Sequence, residues 1–431
     1  MGVFEKYINS VQRNEYVKST GRVIKVTGVL IESRGPFSSI GDICEIEVGE
    51  KRLKAEVVGF DKDRVFLVPF SNVVGIPVSA KVFNTGTKMD IPVGEEMRGR
   101  VLNAYGDVLA GGAFKVENYY YVDNDPPSSL SRSRISKPIQ TGIRAIDGLL
   151  TVGEGQRMGI FSGSGVGKST LLSMIARNTS ADITVLALVG ERGREVKEFL
   201  ERDLGDEGMK RSVVVVATSD EPPMARLRCA YTATAIAEFF RDKGYNVMLL
   251  LDSLTRLAFA QREISISMGE PPTTRGYTPT VFTKLPRLLE RAGSTEKGSI
   301  TAFYTVLVEG DDISEPISDH VRAVLDGHIV LSRNLASAGV YPAIDVLLSI
   351  SRLMPEIVSK EHLEKVYRFK ELMSVYKENQ DLVNIGAYVP GSNPKIDMAL
   401  KYIDKMMNYI KQDMFEKVNF SDAVSQLLSL F

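Results

Sequence analysis

The sequence predicts an α/β phosphate-loop core with a parallel sheet, preceded by an all-β barrel and followed by a helical domain. Three observations carry this. Short strand-like pieces, closely punctuated by Gly and Pro, run from Gly21 to about Asn84. From about Gly142 strand-like and helix-like stretches alternate, the pattern of strands joined by crossover helices. After about Pro355 the chain becomes helical and polar. At 431 residues it exceeds one ordinary core, so two or three domains are expected.

Taken in order, residues 1–20 read as a short helix with Phe4, Tyr7, Ile8 and Val11 on one apolar face. The barrel candidates are Arg22–Ile31, Ile43–Val48, Arg52–Val58, Val65–Val68 and Val78–Phe83. Pro126-Pro127-Ser128-Ser129 and the basic Arg132, Arg134 and Lys137 mark a connecting segment, read as a solvated linker. Core strands are expected at Arg157–Phe161, Ile183–Val189, Val213–Ala217, Val247–Leu251 and Ile300–Val308, with a helix from Pro222-Pro223 to Lys243. Glu361–Tyr376, Lys395–Lys411 and Asp422–Phe431 are the terminal helices. The domain boundaries expected are 1–20, 21–88, 89–358 and 359–431.

Composition excludes several classes. The 53 basic and 54 acidic residues nearly cancel, so nothing points to nucleic acid or an anionic membrane. Cys44 and Cys229 form no CxxC or Cys/His cluster, which argues against a disulfide framework or a zinc site and fits a reducing cytosol. Met1-Gly2-Val3-Phe4-Glu5-Lys6 lacks a signal-peptide h-region, and apolar runs such as Val247–Leu251 are far too short to span a bilayer.

Chemistry concentrates at three strand ends, where open α/β sheets bind ligands. Residues 159–170, Gly-Ile-Phe-Ser-Gly-Ser-Gly-Val-Gly-Lys-Ser-Thr, place a glycine-dense loop between a strand and a helix. That is the phosphate-binding loop of a nucleoside triphosphatase. Ser162 departs from the Gly or Ala that usually opens it. The loop's cradle is Gly163, Ser164, Gly165, Val166, Gly167, Lys168, Ser169 and Thr170, with Lys168 for the β- and γ-phosphates of ATP and Ser169 for Mg²⁺. The apolar strand Val247–Leu251 ends in Asp252, suited to the Mg²⁺ hydration shell. Leu188-Val189-Gly190-Glu191-Arg192 ends the strand that follows the loop. Glu191 could polarise the attacking water, or merely pair with an arginine such as Arg194.

Four segments, Gly163–Thr170, Gly190-Glu191-Arg192, Leu249–Arg256 and Pro342–Ser351, resemble the hexameric rotary-type ATPases, and the resemblance spans nearly the whole chain. It implies a RecA-like P-loop motor, with Glu191 activating water and Arg192 beside it in the catalytic set. Tyr341 would stack on adenine, and Arg352 would act as an arginine finger in a neighbouring subunit.

Ile385-Gly386-Ala387-Tyr388-Val389-Pro390-Gly391-Ser392-Asn393-Pro394 contains no acidic residue, unlike the lever loop of rotary synthase catalytic subunits. Its wording, with Ala260-Gln261-Arg262-Glu263 and Gly269-Glu270-Pro271-Pro272, resembles the flagellar type III protein export ATPases; the injectisome ATPases are the nearest alternative. That resemblance implies a homohexamer, cytoplasmic and only peripherally at the membrane. Its implied partners are a stator-like regulator at the N-terminus, a stalk-like protein, an export gate, and substrates with their chaperones. A hexameric RNA translocase lacks support, because Arg132, Arg134 and Lys137 have no aromatic partners. A nucleotide-binding but non-hydrolysing subunit is disfavoured by the joint presence of Lys168, Glu191 and Asp252.

Overall fold

The structure, a computed structural model, describes residues 19–308, 310 and 315–431. The Phe4/Tyr7/Ile8/Val11 face lies outside the described residues. Strands β1 (Thr20–Thr27), β2 (Leu30–Arg34), β3 (Asp42–Val48), β4 (Lys51–Asp61), β5 (Arg64–Pro69) and β6 (Lys81–Lys88) close into a barrel ordered β1-β2-β5-β4-β3-β6. Alternation along these strands turns Val23, Ile31, Ile46, Val57, Leu67 and Val82 inward. The Arg22–Ile31 piece, expected as one strand, is a hairpin that turns at Gly28 with φ +58°. Cys44 and Cys229 are buried free thiols.

Four short strands that patterning did not single out connect barrel and core: β7 (Asp90–Val93), β8 (Arg100–Asn103), β9 (Val108–Ala110) and β10 (Asn118–Tyr121). At three or four residues each, they are too short to display a period. β11 (Pro138–Ile139) and β12 (Val152–Gly153) form a further small pair. Arg132, expected in a solvated linker, is held against the core instead. Its guanidinium donates to the Ala292 carbonyl at 2.9 Å and to the Glu290 carboxylate at 3.0 Å, which fastens the segment to the core. Arg134 is solvated, 82% exposed, and pairs with Glu356.

The core sheet adds β13 (Arg157–Ser162), β14 (Ile183–Glu191), β15 (Ser212–Thr218), β16 (Asn246–Asp252), β17 (Gly293–Ser294), β18 (Ser299–Leu307), β19 (Gly327–Leu331) and β20 (Ile350–Ser351). Its order is β20-β19-β13-β18-β16-β14-β15-β8-β9, with β17 beside β18. From β19 to β8 every pair is parallel, so the carboxyl ends of these strands share one edge. β19, which opens on Gly327-His328, was not among the expected strands. Both faces are covered, which is why β14 is buried along its whole length. Val185, Ala187 and Val189 face the helix Pro223–Asp242, while Leu186 and Leu188 belong to the buried cluster on the opposite face, which includes the helix Lys168–Asn178.

Helices Lys360–Asn384, Pro394–Ile410 and Phe420–Leu428 form the C-terminal domain. Arg144 reaches the carbonyls of Asn408, Tyr409 and Lys411, a cation on the last turn of the second helix. In the loop between the first two helices, the Tyr388 hydroxyl donates to Asp397 Oδ1 at 2.8 Å and Tyr388 is half-buried, while Ile385, Val389 and Pro390 are exposed. Among the described residues no helix is long and apolar enough to cross a membrane.

One buried cation joins barrel to core. Arg228, on the helix Pro223–Asp242, forms a fork with both oxygens of Glu56 on β4 and donates to Asp123 Oδ2 at 2.7 Å. Removing one member of such a network strands the opposite charge in a dry interface. Arg228→Ala is therefore expected to lower the unfolding free energy by about 3–5 kcal/mol in a urea titration, whereas Arg134→Ala shifts it by less than about 0.5 kcal/mol.

Candidate active site

The phosphate loop leaves β13 at Ser162 and enters the helix Lys168–Asn178, whose N-cap is Gly167 at φ +95°. Only glycine adopts that backbone cheaply, and a Cβ there would also stand 3.3 Å from the Tyr341 ring. Gly163, Ser164, Gly165, Gly167, Lys168, Ser169 and Thr170 line a cavity of about 340 Å³. Val166 turns its side chain into the core, so its share in the cradle is its backbone. The first-turn N–H groups and the dipole of the following helix make this end attractive to anions.

Two carboxylates face the loop. Asp252 ends β16 and lies 2.5 Å from Lys168 Nζ, with both groups buried. Glu191 ends β14, where the register slips: Val189 opposes Ala217 but Glu191 opposes Thr218. This bulge at Gly190 re-aims Glu191 toward the cavity. A Cβ on Gly190 would meet the Arg256 side chain at 3.2 Å, so the glycine also lets Arg256 lie across the strand end. Arg256 is on the helix Leu254–Ser267, which Ser253 caps by accepting the Arg256 N–H. Its guanidinium sits 3.2 Å from Glu191, and Lys168 is 3.9 Å away on the other side.

Burial, then the nearby Asp252 charge, raise the Glu191 carboxyl to about 7, against the pull of Lys168 and Arg256. A carboxylate poised there suits proton transfer near neutrality. The donor set also fits Mg²⁺ carried with phosphates: a hydroxyl on Ser169, a carboxylate on Asp252 and a phosphate cradle are all hard oxygen chemistry. Among the described residues no group of three or more His, Cys, Asp or Glu side chains is placed to hold a metal alone.

Arg192, Tyr341 and Arg352 are not among the residues that line the cavity. Arg192 is exposed and bonded to Glu195, which lines the cavity. Tyr341 lies against Gly167 beside the loop, its carbonyl accepting the Gln412 N–H at 2.8 Å. Arg352 follows β20 at the opposite end of the sheet. Its N–H donates to the Asp326 carbonyl, and Asp326 in turn accepts from the Arg157 N–H where β13 begins. At about 3.3 Å per residue, the length of β13 separates it from its own phosphate loop. Arg194 is not the partner of Glu191; it pairs with Glu198 at 2.5 Å, because helical spacing of four favours that contact. Sequence reasoning missed Arg256 in its place, although the four-residue step from Asp252 to Arg256 across a strand–helix junction is a usable signal.

Lys168→Ala is expected to abolish tight ATP binding, and Glu191→Gln to retain it while turnover falls by about a hundredfold or more. Because kcat/KM reports the free enzyme, it should rise with pH through about 7 as Glu191 loses its proton. That limb should be missing in Glu191→Gln, measured by steady-state hydrolysis.

Comparison with known proteins places the whole chain in one family. Residues 142–351 match the ATP synthase alpha/beta family nucleotide-binding domain, 23–86 its beta-barrel domain, and 358–429 the T3SS EscN ATPase C-terminal domain. The chain is 51% identical to the flagellum-specific ATP synthase of Bacillus subtilis, covering 99% of this chain and 98% of that protein. It is 46% identical to the type 3 secretion system ATPase of Xanthomonas euvesicatoria, covering 95% and 93%. It is similar to the assembled ATPase EscN of enteropathogenic E. coli, with a TM-score of 0.91 and 44% identity, covering 95% of this chain and 99% of that one. EscN in complex with its central stalk EscO gives a TM-score of 0.88 at the same identity and coverage. A phosphate loop, two carboxylates at neighbouring strand ends and a barrel–motor–helix order thus coincide with full-length identity near one half: the chain belongs to the ATP synthase alpha/beta family, as an ATP-hydrolysing type III export ATPase of the flagellum-specific group.

Proposed function

We propose that this chain energises flagellar protein export as a homohexameric ring in the cytoplasm, each site completed by Arg352 of the next copy. The observation that carries the ring is the distance between the two halves of the chemistry. Lys168, Glu191 and Asp252 share one sheet edge, and Arg352 stands at the other end. A head-to-tail arrangement closed by cyclic symmetry brings unlike ends together.

In this reading the loop N–H groups and Lys168 hold the β- and γ-phosphates, while Ser169 and Asp252 hold the cation. Mg²⁺, when bound, neutralises the charge of the phosphates. Lys168 exchanges the Asp252 carboxylate for phosphate oxygens. Glu191, kept in place by Arg256, orients a water and accepts its proton. Release from Glu195 lets Arg192 meet the phosphates at the cavity mouth. Tyr341 offers its ring to adenine. Arg352 from the neighbour stabilises charge on the transferring group, a contribution of roughly 10³–10⁵ in rate in other NTPases.

The exposed Ile385 and Val389 suit contact with a stalk-like protein, as EscN is bound by EscO. A stator-like regulator at the N-terminus, an export gate, and substrates with chaperones complete the expected partners; no nucleic acid is expected, and the membrane is met only through them. The similarity to EscN supports the injectisome as second reading, while the higher identity to the Bacillus flagellar protein favours the flagellum.

Mixing variants tests the shared site. Lys168→Ala and Arg352→Ala should each be nearly inactive. In randomly mixed rings about one interface in four joins an intact loop to an intact Arg352, so activity should return toward about a quarter of wild type. Co-assembled mixtures that stay as inactive as their parents would rule out the shared site.

A further inference from the structure

Two donors converge on Oδ1 of Asp252. One is Lys168 Nζ at 2.5 Å; the other is the Thr305 hydroxyl at 2.8 Å. Thr305 is on β18, the strand beside β16, one step beyond the paired residues Leu251 and Tyr304. It is completely buried. Its hydroxyl also lies 3.3 Å from the Leu251 carbonyl. A hydroxyl has one hydrogen to give, and the nearer, charged acceptor takes it.

The two donors differ in what they can do during a reaction. Lys168 belongs to the phosphate loop, and its ammonium is the natural counter-charge for phosphate oxygens. When it turns to them, Asp252 loses its shortest partner. Thr305 has no such second duty. It is held in a central strand between β16 and β13, and its β-branched side chain has restricted rotamer freedom.

We propose that Thr305 is the positioning residue for Asp252: its hydroxyl keeps the carboxylate in its Mg²⁺-facing orientation after Lys168 has turned to the phosphates. This rests on the assignment of Asp252 to the Mg²⁺ shell. Groups that orient a metal's direct ligands are commonly worth 10–100-fold in metal affinity or activity, and Asp252, which would meet Mg²⁺ through its hydration shell, puts the expectation at the lower end, about tenfold. The role is one that sequence pattern hides, because Thr305 reads there as an unremarkable polar residue in an apolar strand.

The test compares Thr305→Val, which removes the hydroxyl but keeps the shape, with Thr305→Ser, which keeps the hydroxyl. Full-length protein is titrated with Mg²⁺, and binding of a fluorescent ATP analogue is followed alongside steady-state hydrolysis. Thr305→Val should raise the half-saturating Mg²⁺ concentration about tenfold and lower kcat. Its binding of the analogue in EDTA should match wild type, and Thr305→Ser should restore the Mg²⁺ response. An unchanged Mg²⁺ requirement in Thr305→Val overturns the proposal. So does an equal loss of EDTA-resistant binding in both variants, which would make Thr305 a packing residue. Thr305→Ala serves if the valine variant does not fold. Asp252→Asn run in parallel separates the two layers. If it weakens the Mg²⁺ response and Thr305→Val does not, only this proposal falls; if it too has no effect, the assignment of Asp252 falls and the proposal with it.

Discussion

A buried ammonium against a buried carboxylate, Lys168 to Asp252 at 2.5 Å, is the contact on which the site depends. The two residues come from the loop after β13 and from the end of β16, with β18 between those strands. They meet only because three parallel strands hold one register and end at one edge. Both charges have already left bulk water, so exchanging a carboxylate for a phosphate oxygen requires little further desolvation. A preorganised dry site of this kind is where electrostatic stabilisation is strongest.

The same edge disposes of charge by geometry rather than by number. Glu191 reaches the cavity because β14 bulges at Gly190, and the missing side chain at that glycine admits Arg256 beside it. Lys168 and Arg256 therefore face Asp252 and Glu191, and the two carboxylates have different surroundings. Asp252 is nearly closed off and doubly hydrogen-bonded at one oxygen. Glu191 is raised toward neutrality by burial and by its neighbour's charge. Separate environments for two acids allow separate roles, one toward the cation and one toward the water. The barrel and the C-terminal helices are tied to this core by buried or capped arginines, Arg228 and Arg144, so domain placement is also electrostatic.

Much of this was legible in the sequence because the signals were local. Phosphate loop, strand-terminal carboxylates and long helices each declare themselves within about a dozen residues. The core strand Val247–Leu251 and the helix beginning at Pro223 sit where apolar runs and a proline start signal put them. The misses were of another kind. β8 and β9 are too short to show alternation, and their place at the sheet edge is decided by pairing with β15 far along the chain. Gly28 hid a hairpin inside an apparently continuous strand. Sequence left Glu191 open between polarising water and pairing with a nearby arginine such as Arg194; the arginine it meets is Arg256, brought beside it by the bulge at Gly190. Arg132 looked like solvated linker, since its acceptors Glu290 and Ala292 are known only once the chain has folded. Tyr341 and Arg352 carried no local signal at all and were expected only by resemblance.

If Arg352 completes the site of a neighbouring copy, as proposed, a single copy is inactive, because its own phosphate loop and Arg352 occupy opposite ends of one sheet. The most direct measurement is ATP hydrolysis per mole of chain as protein concentration is lowered, with assembly state followed in the same samples by light scattering. Specific activity should fall steeply as rings dissociate and approach zero for the monomer. Constant specific activity down to concentrations at which the chain is demonstrably monomeric would contradict it.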